Sequence, residues 1–263
     1  MLIEAQGGED KAKYGNALIK EYSEKLTNEI GRGYTFSALS RMRQFYLLSE
    51  KIATLSQQLT WSHYCELLVF DNVDEINYYI KQTEIYNLSV RELREKIKSK
   101  EYQRLDNNTK LKLINKEETV VSDFIKNPIV IRNKYNIDKK SVTEKILQRL
   151  ILEDIPSFLK ELGDGFTFVE NEYKIKIGNT FNYIDLLLYN IKFNCYVVIE
   201  LKVTELKKEH IGQIQIYMNY VDKNIKTINQ DKTIGVIICK KDNGYYIEYS
   251  SDNRIFSKNY ILS

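Results

Sequence analysis

Two neighbouring stretches decide the fold: FNYIDLLLY at 181–189 and CYVVIELKV at 195–203. Each is a run of branched and aromatic residues of strand length, and the two are separated by the short break NIKFN, so they read as a pair of sheet strands. Both are apolar except where a charge interrupts them, at Asp185 in the first and at Glu200 and Lys202 in the second. Residues two apart on a strand share a face, so Glu200 and Lys202 project together. Taking opposite charges out of water costs several kcal/mol each, roughly, before their attraction returns it. Such a pair at the end of an apolar strand calls for a chemical reason, and a hairpin of the two strands would bring Asp185 to the same end of the sheet.

Working outward, Phe166, Phe168, Tyr173, Ile175 and Ile177 alternate as a strand up to Gly178-Asn179, a hairpin-turn dipeptide. Val142 to Leu162 reads as a helix interrupted at Pro156, where it begins anew. A further helix is expected over about Glu205 to Asp222. Strands are expected at 233–241 and in YYIEYS at 245–250, flanking the turn Asp242-Asn243-Gly244. Helix, three strands, helix and two strands predict an α/β (α+β) domain with a central mixed sheet.

The first hundred residues differ in kind. Leu18, Ile19, Tyr22 and Leu26, then Leu39, Met42, Phe45 and Tyr46, recur at helical spacing with no strand signal between them. Thr35 or Ser37, Asp71 or Asp74, and the capping-box form Ser89-Val90-Arg91-Glu92 supply helix starts. The expected organisation is a helical domain over 1–105, a linker with short helices over 106–140, and a sheet-containing domain over 141–263.

Composition narrows the chemistry. The chain has 263 residues, a formal net charge of +3, 43% apolar content, 2 prolines and 11 glycines, which excludes a disordered or collagen-like chain. Cys65, Cys195 and Cys239 form no C-x-x-C pair, and His63 and His210 are the only histidines. No disulfide framework or thiolate zinc site is suggested, a histidine-rich metal site is excluded, and any metal would have to be a hard ion on carboxylates. The start has charges where a signal peptide needs an apolar run, and no stretch has the ~20 apolar residues of a membrane span, so the expected location is cytoplasmic.

Two carboxylates converging with a lysine suit metal-dependent phosphodiester hydrolysis. The carboxylates hold magnesium (Mg2+) or manganese (Mn2+), and the lysine orients a water or offsets developing negative charge. Taken alone, Asp185, Glu200 and Lys202 read equally as a surface ion pair beside a turn cap.

The next helix carries Gln213 and Tyr217 at i and i+4. With the strand pair, this resembles the PD-(D/E)XK nuclease superfamily and its extra Gln-x-x-x-Tyr motif. The stretch ELGDGFTFVENEYKIKIGNTFNYIDLLLYNIKFNCYVVIELKVTELKKEHIGQIQIYMNY at 161–220, with TFSALSRMRQFY at 35–46 and LTWSHYCELL at 59–68, is similar to the YhcG-like PDDEXK nuclease domain proteins, the former domain of unknown function 1016 family. The resemblance covers nearly the whole chain. It implies a helix-turn-helix-like amino-terminal domain, a restriction-endonuclease-like sheet, and cleavage of nucleic acid at Asp185, Glu200 and Lys202 with support from Gln213 and Tyr217. Relatives carry another helix before KAKYGNALIKEYSEKL, so the resemblance also implies that the start of the first domain is missing here.

In this superfamily the helix before the sheet contributes an acid to the site. By helical angle, Asp154 and Glu161 border the buried stripe of Ile151, Ile155, Phe158 and Leu162, while Glu153 points away, and Glu161 is the candidate. It reads equally as a solvated border residue. Arg41, Arg43, Arg91 and Arg94 are candidate nucleic-acid contacts on the helices, and Lys174 and Lys176, on one face of a strand, are candidates near the site. Solvated faces account for them as well. Trp61, His63 and Tyr64 read as packing, and His210 either reaches a phosphate near the site or faces solvent.

The expected activity is a metal-dependent nuclease acting on DNA, in processing, recombination or defence. Neither the sheet nor its charges separate DNA from RNA. The balanced charge of residues 1–110, with 16 basic and 16 acidic side chains, suits a protein partner or homodimer as well as DNA. The alternative is a non-cleaving nucleic-acid or protein-binding module in a mobile-element or defence complex.

Overall fold

Strong caps and short polar connections set the helices of the first part of the chain. The computed structural model describes residues 15–52, 55–115, 117–241 and 244–263. It divides into two units, 1–102 and 103–263. The first holds α1 (Gly15–Glu29), α2 (Phe36–Ser49), α3 (Trp61–Leu67), α4 (Val73–Tyr86) and α5 (Val90–Lys98). The Lys11 start expected for the first helix lies outside the described residues. Thr35 caps α2 by accepting from the Ala38 N–H, and Ser89 with Glu92 closes a capping box at α5. The cap of α4 is Asn72, not Asp71 or Asp74: its Oδ1 accepts from the N–H groups of Asp74 and Glu75. Tyr79, Leu67, Ile76 and Leu93 fill the core. On α2 the buried residues are Leu39 and Leu48, whereas Met42 and Tyr46 are exposed. His63 is a satisfied core residue, its Nδ1 accepting the Thr60 N–H at 3.1 Å and its Nε2 lying 3.0 Å from the Leu88 carbonyl oxygen.

The second unit is built on a six-stranded mixed sheet. Residues 106–140 carry α6 (Asn107–Asn115), a 3-10 turn at Val121–Phe124 and β1 (Ile129–Ile131). There follow α7 (Glu144–Leu152), α8 (Ile155–Leu162), β2 (Phe166–Ile177), β3 (Thr180–Asn190), β4 (Cys195–Glu205), α9 (Lys208–Asn224), β5 (Ile234–Lys241), α10 (Gly244–Glu248) and β6 (Ile255–Leu262). Pro156 sits in the first turn of α8, where its missing N–H costs nothing. Gly178 takes φ +60°, as the first position of a two-residue hairpin turn demands. The sheet order is β1-β6-β5-β4-β3-β2. β2, β3 and β4 are antiparallel neighbours, and β4, β5, β6 and β1 are parallel.

One expected strand is overturned. Tyr245 to Glu248 of YYIEYS fold into α10 and Tyr249 turns out of it, and the last strand is β6, with β5 and β6 parallel. A tight turn can join only antiparallel neighbours, and a parallel pair needs a longer crossover. Asp242 and Asn243 lie outside the described residues. β1 was also unforeseen, because three residues carry no period of their own and pair with Tyr260 to Leu262, far along the chain.

Helices cover both faces of the sheet. Leu147, Leu150 and Ile151 of α7 and Phe158 and Leu162 of α8 pack on Leu186, Leu188, Val197, Ile199 and Leu201. Ile214, Tyr217, Met218 and Val221 of α9 pack on Val198, Leu187, Ile237 and Cys239.

Candidate active site

The sheet forks where its charges lie. β3 and β4 pair from Asn190 opposite Cys195 to Leu186 opposite Ile199 and then part. Beyond that point β4 stays with β5, Glu200 lying opposite Ile237 and Lys202 opposite Cys239, while β3 stays with β2 down to Thr180 opposite Ile177. The next residues past the last β3–β4 pair are Asp185 and Glu200, one on each branch. The parting strips the Leu201 N–H of a strand partner, and Asp185 Oδ2 accepts from it at 2.8 Å. A carboxylate thus completes the ladder and is held in place by the backbone it replaces.

Glu200 is 1% exposed and Lys202 9%. Lys202 Nζ donates to Glu200 Oε2 at 3.3 Å. The other carboxylate oxygen, Glu200 Oε1, is buried and has no hydrogen-bond partner among the described residues. An unsatisfied buried acceptor costs about 1–3 kcal/mol, more for a charged group, so this oxygen is open to a ligand or water that the described residues do not supply. Burial and then the charge of Asp185 push the Glu200 pKa up to about 8, against the pull of Lys202. Burial also raises that of Asp185, opposed by the Leu201 N–H and Lys202 and reinforced by Glu144 and Glu172. For Lys202, burial favours the neutral amine, but the charges of Glu200, Glu144 and Asp185 outweigh it and its pKa is raised. The amine therefore stays an ammonium and is no general base at neutral pH.

The helix carboxylate found beside Lys202 is that of Glu144, and Glu161 lies with other partners. Thr143 caps α7 by accepting from the Ile146 N–H, which sets Glu144 at the first helical position. Its Oε2 lies 3.8 Å from Lys202 Nζ. One turn along, Gln148 donates to the Asp185 carbonyl oxygen at 3.2 Å. Glu161 is engaged elsewhere: Arg104 forms a close ion pair with it, Lys126 Nζ lies at 4.0 Å, and the Val130 N–H donates to Oε2 at 3.0 Å. Asp154 pairs with Arg132 and Lys134. The local signal for Glu144 is the Thr143-Glu144 helix start with Gln148 at i+4, at the opposite end of the helical segment from Asp154 and Glu161. Glu172, which acts on Asp185, was missed too; it lies in an irregular part of β2 and has φ +50°.

Gln213 and Tyr217 meet each other, Gln213 Nε2 donating to the Tyr217 hydroxyl at 3.0 Å, on the helix that packs against β4. His210, half-buried, lies one turn before Gln213 and Ile214 on the same helix. Its Nδ1 accepts the Lys207 N–H at 3.2 Å, which leaves the proton of the neutral ring on Nε2. Burial, then the charge of Lys202, lowers its pKa and keeps the ring neutral.

The cations expected to touch nucleic acid fare differently. Arg94 is held by Glu66 through two bonds of 2.6 and 3.1 Å. Arg41 and Arg91 are exposed and Arg43 half-buried. Lys174 and Lys176 are exposed on β2, with their ammonium groups 3.9 and 5.9 Å from the Phe181 ring centroid.

Among the described residues no group of three or more His, Cys, Asp or Glu could hold a metal ion. A cation at the fork would rest on Asp185 and Glu200 and complete its shell with water and substrate oxygens, as magnesium does. The orphaned Glu200 Oε1 and the all-oxygen donor pair fit such an ion. Among the described residues no helix is long and apolar enough to cross a membrane.

Residues 122–262 match the YhcG PDDEXK nuclease domain, and residues 1–104 match the DUF1016 N-terminal domain. The protein named "Putative nuclease YhcG" from Escherichia coli (strain K12) is 27% identical over 272 residues, spanning 89% of this chain and 72% of that protein. A repair endonuclease from Pyrococcus abyssi is 16% identical with a TM-score of 0.34, over 45% of this chain and 47% of that one. The EndoMS-dsDNA2 complex gives 19% identity and a TM-score of 0.35 over 44% of each chain. The chain therefore spans less than half the length of either solved protein.

Proposed function

We propose that this chain, which belongs to the YhcG PDDEXK nuclease domain family, is a nuclease that hydrolyses phosphodiester bonds of DNA with a divalent cation, magnesium or manganese, held by Asp185 and Glu200. The observation that carries the reading is the buried, unpartnered Oε1 of Glu200 at the strand fork beside Asp185 and Lys202. When bound, such an ion polarises a phosphate oxygen and acidifies a water. The chain's own residues do the rest. The Leu201 N–H fixes one carboxylate, the ammonium of Lys202 offsets the charge that builds on the phosphate, and Glu144 keeps that ammonium protonated and aimed. Gln213 and Tyr217 lock the α9 face against β4, and the Nε2–H of His210 is a neutral donor for a phosphate oxygen.

We assign catalysis to residues 141–263. The helical domain, 1–105, delivers the substrate or docks a protein partner or a second copy, with Arg41, Arg43 and Arg91 as contact candidates. Arg94 is a weaker one because Glu66 already holds it.

The test is cleavage of labelled single-stranded, double-stranded, branched and RNA substrates with magnesium or manganese, in the wild type and Glu200→Ala. Cleavage lost in the variant and with chelator is expected. No cleavage by folded wild type, or cleavage that survives the substitution, would move the reading to a non-cleaving binding module.

A further inference from the structure

β2 and β3 outrun the sheet. β3 leaves β4 at Leu186 but stays paired with β2 down to Thr180, so residues 173–184 form a two-stranded arm that continues past the fork. Its two faces differ. Ile175 and Ile184 point into the core against α9, at 1% and 0% exposure. Lys176 lies opposite Phe181 and Lys174 opposite Tyr183, so these four share the other face. Phe181 and Tyr183 are each 51% exposed. Among the described residues neither lysine has an ion-pair partner; Lys174 rests on the Phe181 ring at 3.9 Å. Tyr183 precedes Asp185 by two residues on the same strand, about 7 Å along it.

Two half-exposed aromatic rings, Phe181 carrying the Lys174 ammonium over its ring, beside two lysines with no ion-pair partner among the described residues, match a strand of nucleic acid whose bases are free to stack and whose phosphates need cations. A duplex hides its base faces in its own stack and offers such rings nothing. We infer that the arm holds an unpaired strand, with bases on Phe181 and Tyr183 and phosphates on Lys174 and Lys176, and feeds it to the fork. This rests on the nuclease reading and deepens it: the substrate is single-stranded or contains an unpaired segment beside the cut.

Fluorescence anisotropy of the full chain, with a labelled single strand and with the same sequence as a duplex, tests this without added metal and with chelator present, so no cleavage intervenes. Phe181→Ala and Tyr183→Ala are each expected to weaken single-strand binding roughly tenfold while duplex affinity moves by less than about twofold. Phe181→Trp should retain binding. Replacing both lysines by Ala should lower the slope of log affinity against log salt by about 1.4. Equal losses for single strand and duplex, or no loss in the aromatic variants, would overturn the inference. So would a change in sedimentation with unchanged oligonucleotide affinity, which would assign the face to a protein. Binding that follows the expected pattern in a wild type that cuts nothing sinks the nuclease reading and leaves the arm standing.

Discussion

Two carboxylates of the second unit, Glu161 and Glu200, show opposite bookkeeping of hydrogen bonds. Glu161 faces Arg104 and Lys126 and receives the Val130 N–H, so its lone pairs meet donors from three different segments. Glu200 lies deeper, shares its surroundings with the like charge of Asp185, and keeps one oxygen with no donor among the described residues. Burial of charge is common to both. The difference is completeness: the Glu161 carboxylate is satisfied by its own chain, whereas that of Glu200 is left one contact short, the contact a ligand would supply on the proposed reading. A cluster of acids and cations in sequence therefore says little until its partners are counted.

Substitution at each cluster sharpens that contrast. The largest effect is expected from Glu200→Ala, which should cut turnover about 10³-fold, the scale for losing a principal transition-state contact, with folding intact by circular dichroism. A loss of under about tenfold would break the comparison. Glu161→Ala should do the reverse, costing on the order of 3 kcal/mol in urea unfolding because two poorly exposed cations, Arg104 and Lys126, lose their carboxylate. Its turnover, measured where it is folded, should stay near that of the wild type. Glu144→Gln should fall between them, lowering turnover about tenfold by loosening the hold on Lys202, with the substrate KM little changed.

A pH series on the metal-free protein gives a smaller but direct readout of the orphaned oxygen. The Glu200 pKa is raised in the fold from its ordinary 4.5 to about 8, so between those values the folded chain holds a proton that the unfolded chain has lost. The contribution to stability is complete below about pH 4.5 and fades as pH rises toward 8. The melting temperature of the wild type should fall across that window more steeply than that of Glu200→Gln. Divalent-ion stabilisation should grow over the same range, because the ion needs the carboxylate form. Parallel pH profiles in the two proteins would show that Glu200 is not the group under strain. The smallest effect is expected at Arg94, whose exposed pairing with Glu66 should let Arg94→Ala melt with the wild type.

How much of this was legible depended on the range of the interaction that carries each feature. Asp185, Glu200 and Lys202 stood out because a charge inside an apolar, period-two run is a local anomaly. Gly178-Asn179, Ser89 with Glu92 and Thr35 could be read because turns and caps are made within a few residues. Asn72 was overlooked beside two aspartates that cap equally well in isolation. Glu144 went unread for a different reason: its partner, Lys202, is 58 positions along the chain, and helical angle alone drew the choice toward Glu161. YYIEYS looked like a strand by composition, and only the parallel pairing of β5 with β6 excluded it.

The amino-acid sequence by itself determined the two kinds of region, the β2–β3–β4 strands with their charges, the break at Pro156 and the Gln213–Tyr217 pairing along one helix. These rest on period, capping and turn chemistry, which act over a few residues and so are written locally. Only the tertiary structure decided where β3 and β4 part, which acid joins the fork, which carboxylate is satisfied and which is left with an open oxygen. Those are settled by side chains from distant segments competing for the same donors, and that competition is resolved only once the sheet has brought them together.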